Sequence, residues 1–182
     1  MTQASKNVSV KSALCEIIQL LDMHFHEKLI LAKKHLSEGK YSDSLSLVKD
    51  FLRSTNMLSE NREEILSNYE AGGLLIDIGT DLFDLETVKE GLAIVEIEKF
   101  HKYITIESRE YNLGNAKNAI FDIQAKMGLR YSEEHLNFII EAKNHYWRCL
   151  KNISTDDSEF RYQIYVNMAN SLDSSGRVTV KV

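Results

Sequence analysis

A chain of 182 residues is long enough for one compact domain or a short helical solenoid, and too short for two ordinary domains joined by a linker. Its 43% hydrophobic and 27% charged residues exclude a mostly disordered protein, and its net charge of −5 with interleaved signs argues against nucleic acid as partner. A polar start and no apolar run of about 20 residues predict a cytoplasmic protein without membrane contact. Cys15 and Cys149 lie in apolar helical patterns typical of buried thiols.

No proline interrupts the chain, so long helices are permitted throughout. One apolar stripe with steps of three and four residues predicts a long first helix that stops at Gly39. A shorter second helix follows and completes a helical hairpin. The stripe of the first helix consists of Val10, Leu14, Ile17, Leu21, Phe25, Leu29, Ala32 and Leu36. The stripe of the second consists of Leu45, Val48, Phe51 and Leu52.

The next hairpin is predicted to begin at a capping box formed by Asn61 and Glu64. Its first helix is predicted to run up to Gly79, and residues 81–84 then form a longer turn. The partner helix carries Val88, Leu92, Val95 and Ile97 on its apolar side.

A third long helix is predicted from about Ile106 to Met127, and Gly128 ends it. Ser132 is predicted to cap its partner helix, and the segment 156–159 to cap a final helix that ends at Gly176. Residues 178–182 are too short for another amphipathic helix, so the final helix is expected to lack a partner.

Glycines and small residues recur along the predicted helices. Four helices end at a glycine, and in three of them a small residue lies seven positions earlier, while in the third unit Gly114 precedes its glycine by fourteen. A small residue lets a partner helix approach closely, and the glycine supplies a left-handed C-cap. The pairs are Ala32 with Gly39, Gly72 with Gly79, Gly114 with Gly128, and Ala169 with Gly176.

Two segments resemble the first-helix signature of tetratricopeptide repeats: Tyr111-Asn112-Leu113-Gly114-Asn115-Ala116, and Val166 to Leu172 followed by Gly176-Arg177. The resemblance implies an all-α, right-handed stack of antiparallel helical hairpins with about seven to eight helices. Residues 1–7 are expected to be a disordered N-terminus, 8–177 a single repeat domain and 178–182 a tail. The asparagine-rich first helices also resemble divergent bacterial arrays found upstream of HEPN-type, nuclease-related domains.

The resemblance implies a concave groove lined by the first helix of each hairpin. An asparagine in such a groove can donate and accept hydrogen bonds at once, which suits the backbone of an extended peptide. The alternative is that these amides bond neighbouring helices or water, and that the tyrosines are packing residues. Aligning Gly114 with the family's small residue nominates Lys33, Tyr69, Tyr111, Asn115, Asn118, Asn170 and Asp173.

Signals for catalysis are weak. Glu98 with His101, and Glu141 with His145, are pairs that are ordinary on solvated helices, and neither has further metal ligands. Arg130 and His135 match the loose Arg-His spacing of HEPN ribonucleases, a spacing that occurs readily by chance. We therefore expect no enzyme activity and no cofactor or metal.

The sequence predicts a scaffold module that binds a protein or peptide ligand. The alternative is a regulatory or catalytic fragment of a HEPN-type toxin or defence protein. The apolar face of the final helix is expected to meet another copy of the chain or a missing C-terminal domain, because uncovered apolar faces commonly mark interfaces.

Overall fold

The computed structural model describes residues 27–128 and 133–179, with side chains as far as Ser171. These residues form seven α-helices and one 3-10 helix and contain no β-strand, so the all-α class is confirmed for this part of the chain. The chain divides into two compact units, Met1–Ser54 and Thr55–Val182. The α-helices are α1 (27–37), α2 (Tyr41–Ser54), α3 (Arg62–Leu82), α4 (Leu85–Val95), α5 (Ile106–Lys126), α6 (Glu133–Asn152) and α7 (Ser158–Thr179); the 3-10 helix is Glu98–Lys102.

In the first unit, α1 and α2 are joined by a turn at Gly39. Gly39 has a φ of 73°, the left-handed conformation predicted for this helix end. The Ser44 hydroxyl on α2 donates a 2.8 Å hydrogen bond to the carbonyl of Ala32 on α1, and both residues are fully buried. This bond holds the two helices in close contact. The predicted stripe before residue 27 lies outside the described residues.

The second unit begins with the predicted cap of α3. Asn61 Oδ1 accepts hydrogen bonds from the backbone N–H of Glu63 at 2.8 Å and of Glu64 at 3.3 Å. The reciprocal half of the capping box is not formed, because the Glu64 carboxylate accepts instead from the Asn56 N–H at 2.7 Å. The helix start was predicted correctly, and the glutamate ties the preceding loop to it.

The end of α3 differs from the prediction. The helix continues past Gly79 to Leu82, and only Phe83 and Asp84 separate it from α4, so both the predicted stop at Gly79 and the longer turn are wrong. Phe83 adopts the left-handed conformation with a φ of 54°, although it is not a glycine. Asp84 then caps α4 by accepting from the N–H groups of Glu86 and Thr87.

Gly79 instead serves the packing of α3 against α4. A Cβ at Gly79 would come within 2.8 Å of Val88, and one at Gly72 within 2.8 Å of Ile94. Gly91 on α4 is equally constrained, since its Cβ would lie 2.6 Å from the Gly72 carbonyl oxygen. The contacting positions run in opposite order along the two helices. Glycines therefore allow an unusually close helix–helix approach here.

The contact between α5 and α6 is built in a similar way. Thr105 caps α5, and Gly128 beyond its end has a φ of 82°, as the sequence predicts for this terminus. A Cβ at Gly114 would fall 2.6 Å from the ring of Tyr146 on α6, which confirms the predicted close approach at this glycine. The predicted cap of α6, Ser132, lies outside the described residues.

The last helix, α7, begins after Asp157, whose carboxylate accepts from the Phe160 N–H at 3.1 Å. It continues past Gly176 to Thr179, so the predicted stop at Gly176 is wrong. Ala169, expected on a buried face, is exposed. Ile164, Met168 and Ser171 form the buried side of α7. Besides the contacts between successive helices, α5 packs against both α3 and α7. The helices α3, α5 and α7 therefore form one layer of this unit.

Candidate functional site

Three half-buried asparagines follow one another at three-residue steps along α5: Asn112, Asn115 and Asn118, here called the amide row. A three-residue step turns a helix by about −60°, so the row rotates across the face of α5 as it ascends. Its lower, N-terminal end at Asn112 is thereby directed toward α3, and its upper, C-terminal end at Asn118 toward α7. The amide row crosses the layer formed by α3, α5 and α7.

The lower end of the row joins α5 to α3. Asn112 Nδ2 donates a 3.1 Å hydrogen bond to the hydroxyl of Tyr69, which is only 4% exposed. Burial raises the pKa of Tyr69, so its hydroxyl stays protonated at neutral pH. The same amide nitrogen would lie 3.3 Å from a Cβ at Gly73, and the glycine leaves room for it.

The centre of the row joins α5 to both α6 and α7. Asn115 Oδ1 accepts from the Tyr146 hydroxyl at 2.9 Å and from Asn167 Nδ2 at 3.0 Å. The other hydrogen of that Asn167 amide points to the Tyr111 hydroxyl at a longer 3.5 Å, and Gln163 donates to the Asn167 oxygen at 3.0 Å. These bonds satisfy the Asn167 amide and lock it between the two helices.

The upper end of the row makes a second link to α7. The Ser171 hydroxyl is 2.6 Å from Asn118 Oδ1 and 2.8 Å from the Asn167 carbonyl, and its single proton is shared between these two acceptors. Ser171 is fully buried. Each asparagine of the row therefore uses one end of its amide to connect helices.

The other end of each amide has no hydrogen-bond partner among the described residues. These ends are Asn112 Oδ1 and the N–H groups of Asn115 and Asn118, with amide orientations assigned from the bonds above. The row thus presents one acceptor and two donor groups at fixed positions, and a peptide backbone requires both kinds.

Acidic side chains lie beyond the row toward the C-terminal part of α3. Asp77 and Asp81 are exposed. Surrounding protein atoms exclude part of the water from the Asp77 carboxylate, and the charge of Asp81 adds to this effect. Together they raise the pKa of Asp77 to about 6, although its side chain still reaches solvent. This end of the layer carries negative charge at neutral pH.

A buried carboxylate connects α5 to α6 separately from the amide row. Glu110, 4% exposed, accepts from Arg148 Nε and His145 Nδ1, both at 2.7 Å, and from Arg109 at 3.1 Å. Burial raises the pKa of Glu110, but the hydrogen bonds and charges of Arg148 and His145 outweigh it and hold that pKa below its ordinary value.

His145 donates a hydrogen bond to Glu110 in this cluster. Burial lowers the pKa of His145, so the ring is neutral at pH 7 and its Nδ1 proton points to Glu110. Arg148 Nη2 lies 2.8 Å from the same Nδ1, and this contact is not a hydrogen bond while that nitrogen carries the donated proton. The cluster therefore joins α5 to α6 through an ion pair between the buried Glu110 carboxylate and Arg148.

The predicted site residues are only partly brought together. Tyr111, Asn115 and Asn118 share the hydrogen-bond network between α5 and α7, while Tyr69 joins it only through Asn112. The bonding to neighbouring helices that the sequence left as an alternative is what the structure gives Asn115 and Asn118.

The remaining predicted residues are Lys33, Asn170 and Asp173. Lys33 is exposed on α1 in the first unit, and Asn170 is exposed on α7. Asp173 lies on α7, with its side chain outside the described residues. Sequence reasoning missed Asn112 and Asn167 as linking residues, although both stand inside the two repeat-like segments, three residues from Asn115 and Asn170 respectively.

Residues that resembled catalytic groups have structural partners. Glu141 pairs with Lys117 at 3.0 Å, and His101 contacts the Val95 carbonyl at 3.3 Å. His135 is 2% exposed and packs edge-on against Phe121, whereas Arg130 lies outside the described residues. Within residues 27–128 and 133–179, no group of three or more histidine, cysteine or acidic side chains is arranged to hold a metal ion.

Comparisons with protein-family models, with curated proteins and with solved structures found no match to this chain. In the part of the chain that the structure describes, none of the helices combines the length and apolarity that a membrane crossing requires.

Proposed function

We propose that this chain is a polypeptide-binding module, built as a tetratricopeptide-like stack of antiparallel hairpins whose ligand lies across α3, α5 and α7. The observation that carries the proposal is the layer in which α5 contacts both α3 and α7 and is hydrogen-bonded to each through the amide row. Stacks of helical hairpins place their first helices side by side in this way and use that surface for binding.

Binding is assigned to amides that are already held in place. Asn115 and Asn118 are fixed through their oxygen atoms, and their N–H groups are therefore positioned before any ligand arrives. A preorganised donor loses little side-chain entropy on binding, which favours affinity. Asn112 supplies an acceptor at the α3 side of the same surface.

The test is selection of a random-sequence peptide library displayed on phage, with the purified full chain as bait. Gly73→Leu places a bulky side chain beside Asn112, and Asn170→Ala removes an exposed amide on α7. Each is expected to weaken a selected peptide about tenfold, or about 1.4 kcal/mol, by fluorescence anisotropy. Asn137→Ala is the matched control, because this asparagine is also exposed but lies on α6.

Peptides that bind Gly73→Leu and Asn170→Ala as tightly as the wild-type chain would refute this surface. Cleavage of RNA by the purified chain that disappears in Arg130→Ala and His135→Ala variants would refute the scaffold function itself and favour the nuclease alternative. Circular dichroism must first show that each variant is folded, since His135 is buried.

A further inference from the structure

The outer side of α6 carries a narrow apolar stripe that the core does not use. Leu136, Ile140 and Trp147 are 39%, 54% and 51% exposed, while the opposite face of the helix is buried. With Lys143 between them, these positions are separated by steps of four, three and four residues. That is the spacing of a coiled-coil seam, in which one helix packs lengthwise on another. These four residues are called the α6 stripe.

One edge of the α6 stripe carries a negative charge at its first end and a positive charge at its other end. Glu133 lies at the start of α6 and Lys151 near its end, and both are exposed. They are eighteen residues apart, or about five helical turns, so they lie on the same line of the helix. Neither residue has a salt-bridge partner among the described residues.

We propose that a second copy of this chain docks on the α6 stripe, with the two α6 helices antiparallel about a two-fold axis. Such an axis near the middle of the helix places Leu136 opposite the partner's Trp147, and Ile140 opposite the partner's Lys143. A two-fold operation keeps the same edge of both helices on the same side, so Glu133 meets the partner's Lys151 at each end. The stripe is thus complementary to itself in both shape and charge, and the antiparallel helix dipoles also favour it.

The expected dimer is weak. Its contact is one helix pair, which falls below the area of about 800 Å² per partner that is usual for stable complexes. A dissociation constant on the order of 10–100 µM follows from a contact of this size that buries one tryptophan from each copy. Lys143 contributes its aliphatic stem to the stripe while its ammonium group remains in water, which limits the affinity. This dimer contact is separate from the surface proposed for peptides, so either can fail without the other.

The experiment is sedimentation equilibrium of the full chain across concentrations that bracket this range. Trp147→Glu is expected to raise the dissociation constant at least about thirtyfold, because it replaces the largest apolar side chain of the α6 stripe by a charge in both copies. Tyr162→Glu is the matched control, because this tyrosine on α7 is 69% exposed and lies outside the stripe. Lys143→Leu is expected to tighten the dimer.

Charge reversal tests the antiparallel arrangement. Lys151→Glu alone should weaken the dimer a few-fold, because it sets two carboxylates against each other at both ends, and adding Glu133→Lys should restore it. Trp147 is the only tryptophan of the chain, so its fluorescence should shift to shorter wavelength as the dimer forms. A chain that stays monomeric, or a dimer that is unaffected by Trp147→Glu or not restored by the double reversal, would overturn the proposal.

Discussion

Replacing Gly114 by alanine tests the close approach that holds α5 against α6. The new Cβ would lie 2.6 Å from Cε1 and 2.8 Å from Cδ1 of Tyr146, short of ordinary contact by up to about 0.8 Å. The Tyr146 ring is 1% exposed and its hydroxyl is bonded to Asn115, so it cannot move aside without losing that bond.

The expected cost combines three effects. Overpacking costs about 1–3 kcal/mol, and disturbing the tyrosine hydrogen bond adds about 1 kcal/mol. Alanine recovers about 1 kcal/mol through its better helix propensity. Gly114→Ala should therefore lower the free energy of unfolding by about 1–3 kcal/mol, measured by urea denaturation with circular dichroism.

Gly73→Ala is the matched control, since this α3 glycine faces only the Asn112 amide at 3.3 Å. It should leave stability unchanged or raise it by up to about 1 kcal/mol. In a Tyr146→Leu background, which removes the obstructing ring, the cost of Gly114→Ala should largely disappear. Equal effects of the two glycine substitutions, or no coupling to Tyr146, would refute the steric explanation.

Two further predictions concern titratable groups. The folded-state pKa of Glu110 lies below its unfolded value, so this carboxylate stabilises the fold above about pH 4.5, and that contribution is lost as pH falls through the folded pKa. Glu110→Gln should therefore cost about 1–3 kcal/mol at pH 7 and progressively less below pH 4.5, by urea denaturation at each pH. Burial, with smaller contributions from nearby carboxylates, raises the pKa of the Cys149 thiol to about 12. In a Cys15→Ser background it should react with a thiol reagent only when urea unfolds the chain, and rapid labelling of the native protein would contradict this.

Helix starts and some helix ends were predictable because their chemistry is local. Asn61 and Asp157 cap helices through bonds to backbone groups two or three residues away, and Gly128 ends α5 with its own left-handed conformation. The sequence within one turn contains everything that such a cap requires.

Gly79 shows where that local reasoning fails. A glycine that ends a helix and a glycine that admits a neighbouring helix look the same in one sequence, and only the position of Val88 on α4 distinguishes them. The left-handed turn fell instead to Phe83, a residue type that rarely adopts it. The end of α3 therefore depends on long-range packing, whereas the prediction from the sequence used only the local pattern.

The amide row could be predicted only in part from the sequence, for a related reason. The sequence predicts Asn115 as a ligand residue, yet one of its partners in the structure is Asn167, 52 residues later in the chain. No spacing rule in a single sequence predicts that pairing, because it depends on how α5 and α7 are rotated toward each other. The sequence indicates that an asparagine at position 115 forms hydrogen bonds, whereas only the three-dimensional arrangement identifies its partner.

The structural and binding interpretations of Asn115 are nevertheless compatible. Its oxygen accepts from Tyr146 and Asn167, which fixes the plane of the amide, and its N–H groups lie at the other end of this planar group. Removing Asn167 would leave the Tyr146 bond as the only one that holds this amide oxygen, while Asn115 itself stays intact. Asn167→Ala should then weaken peptide binding through loss of preorganisation, and if affinity were unchanged while Asn170→Ala still reduced it, the row would be a helix linkage alone.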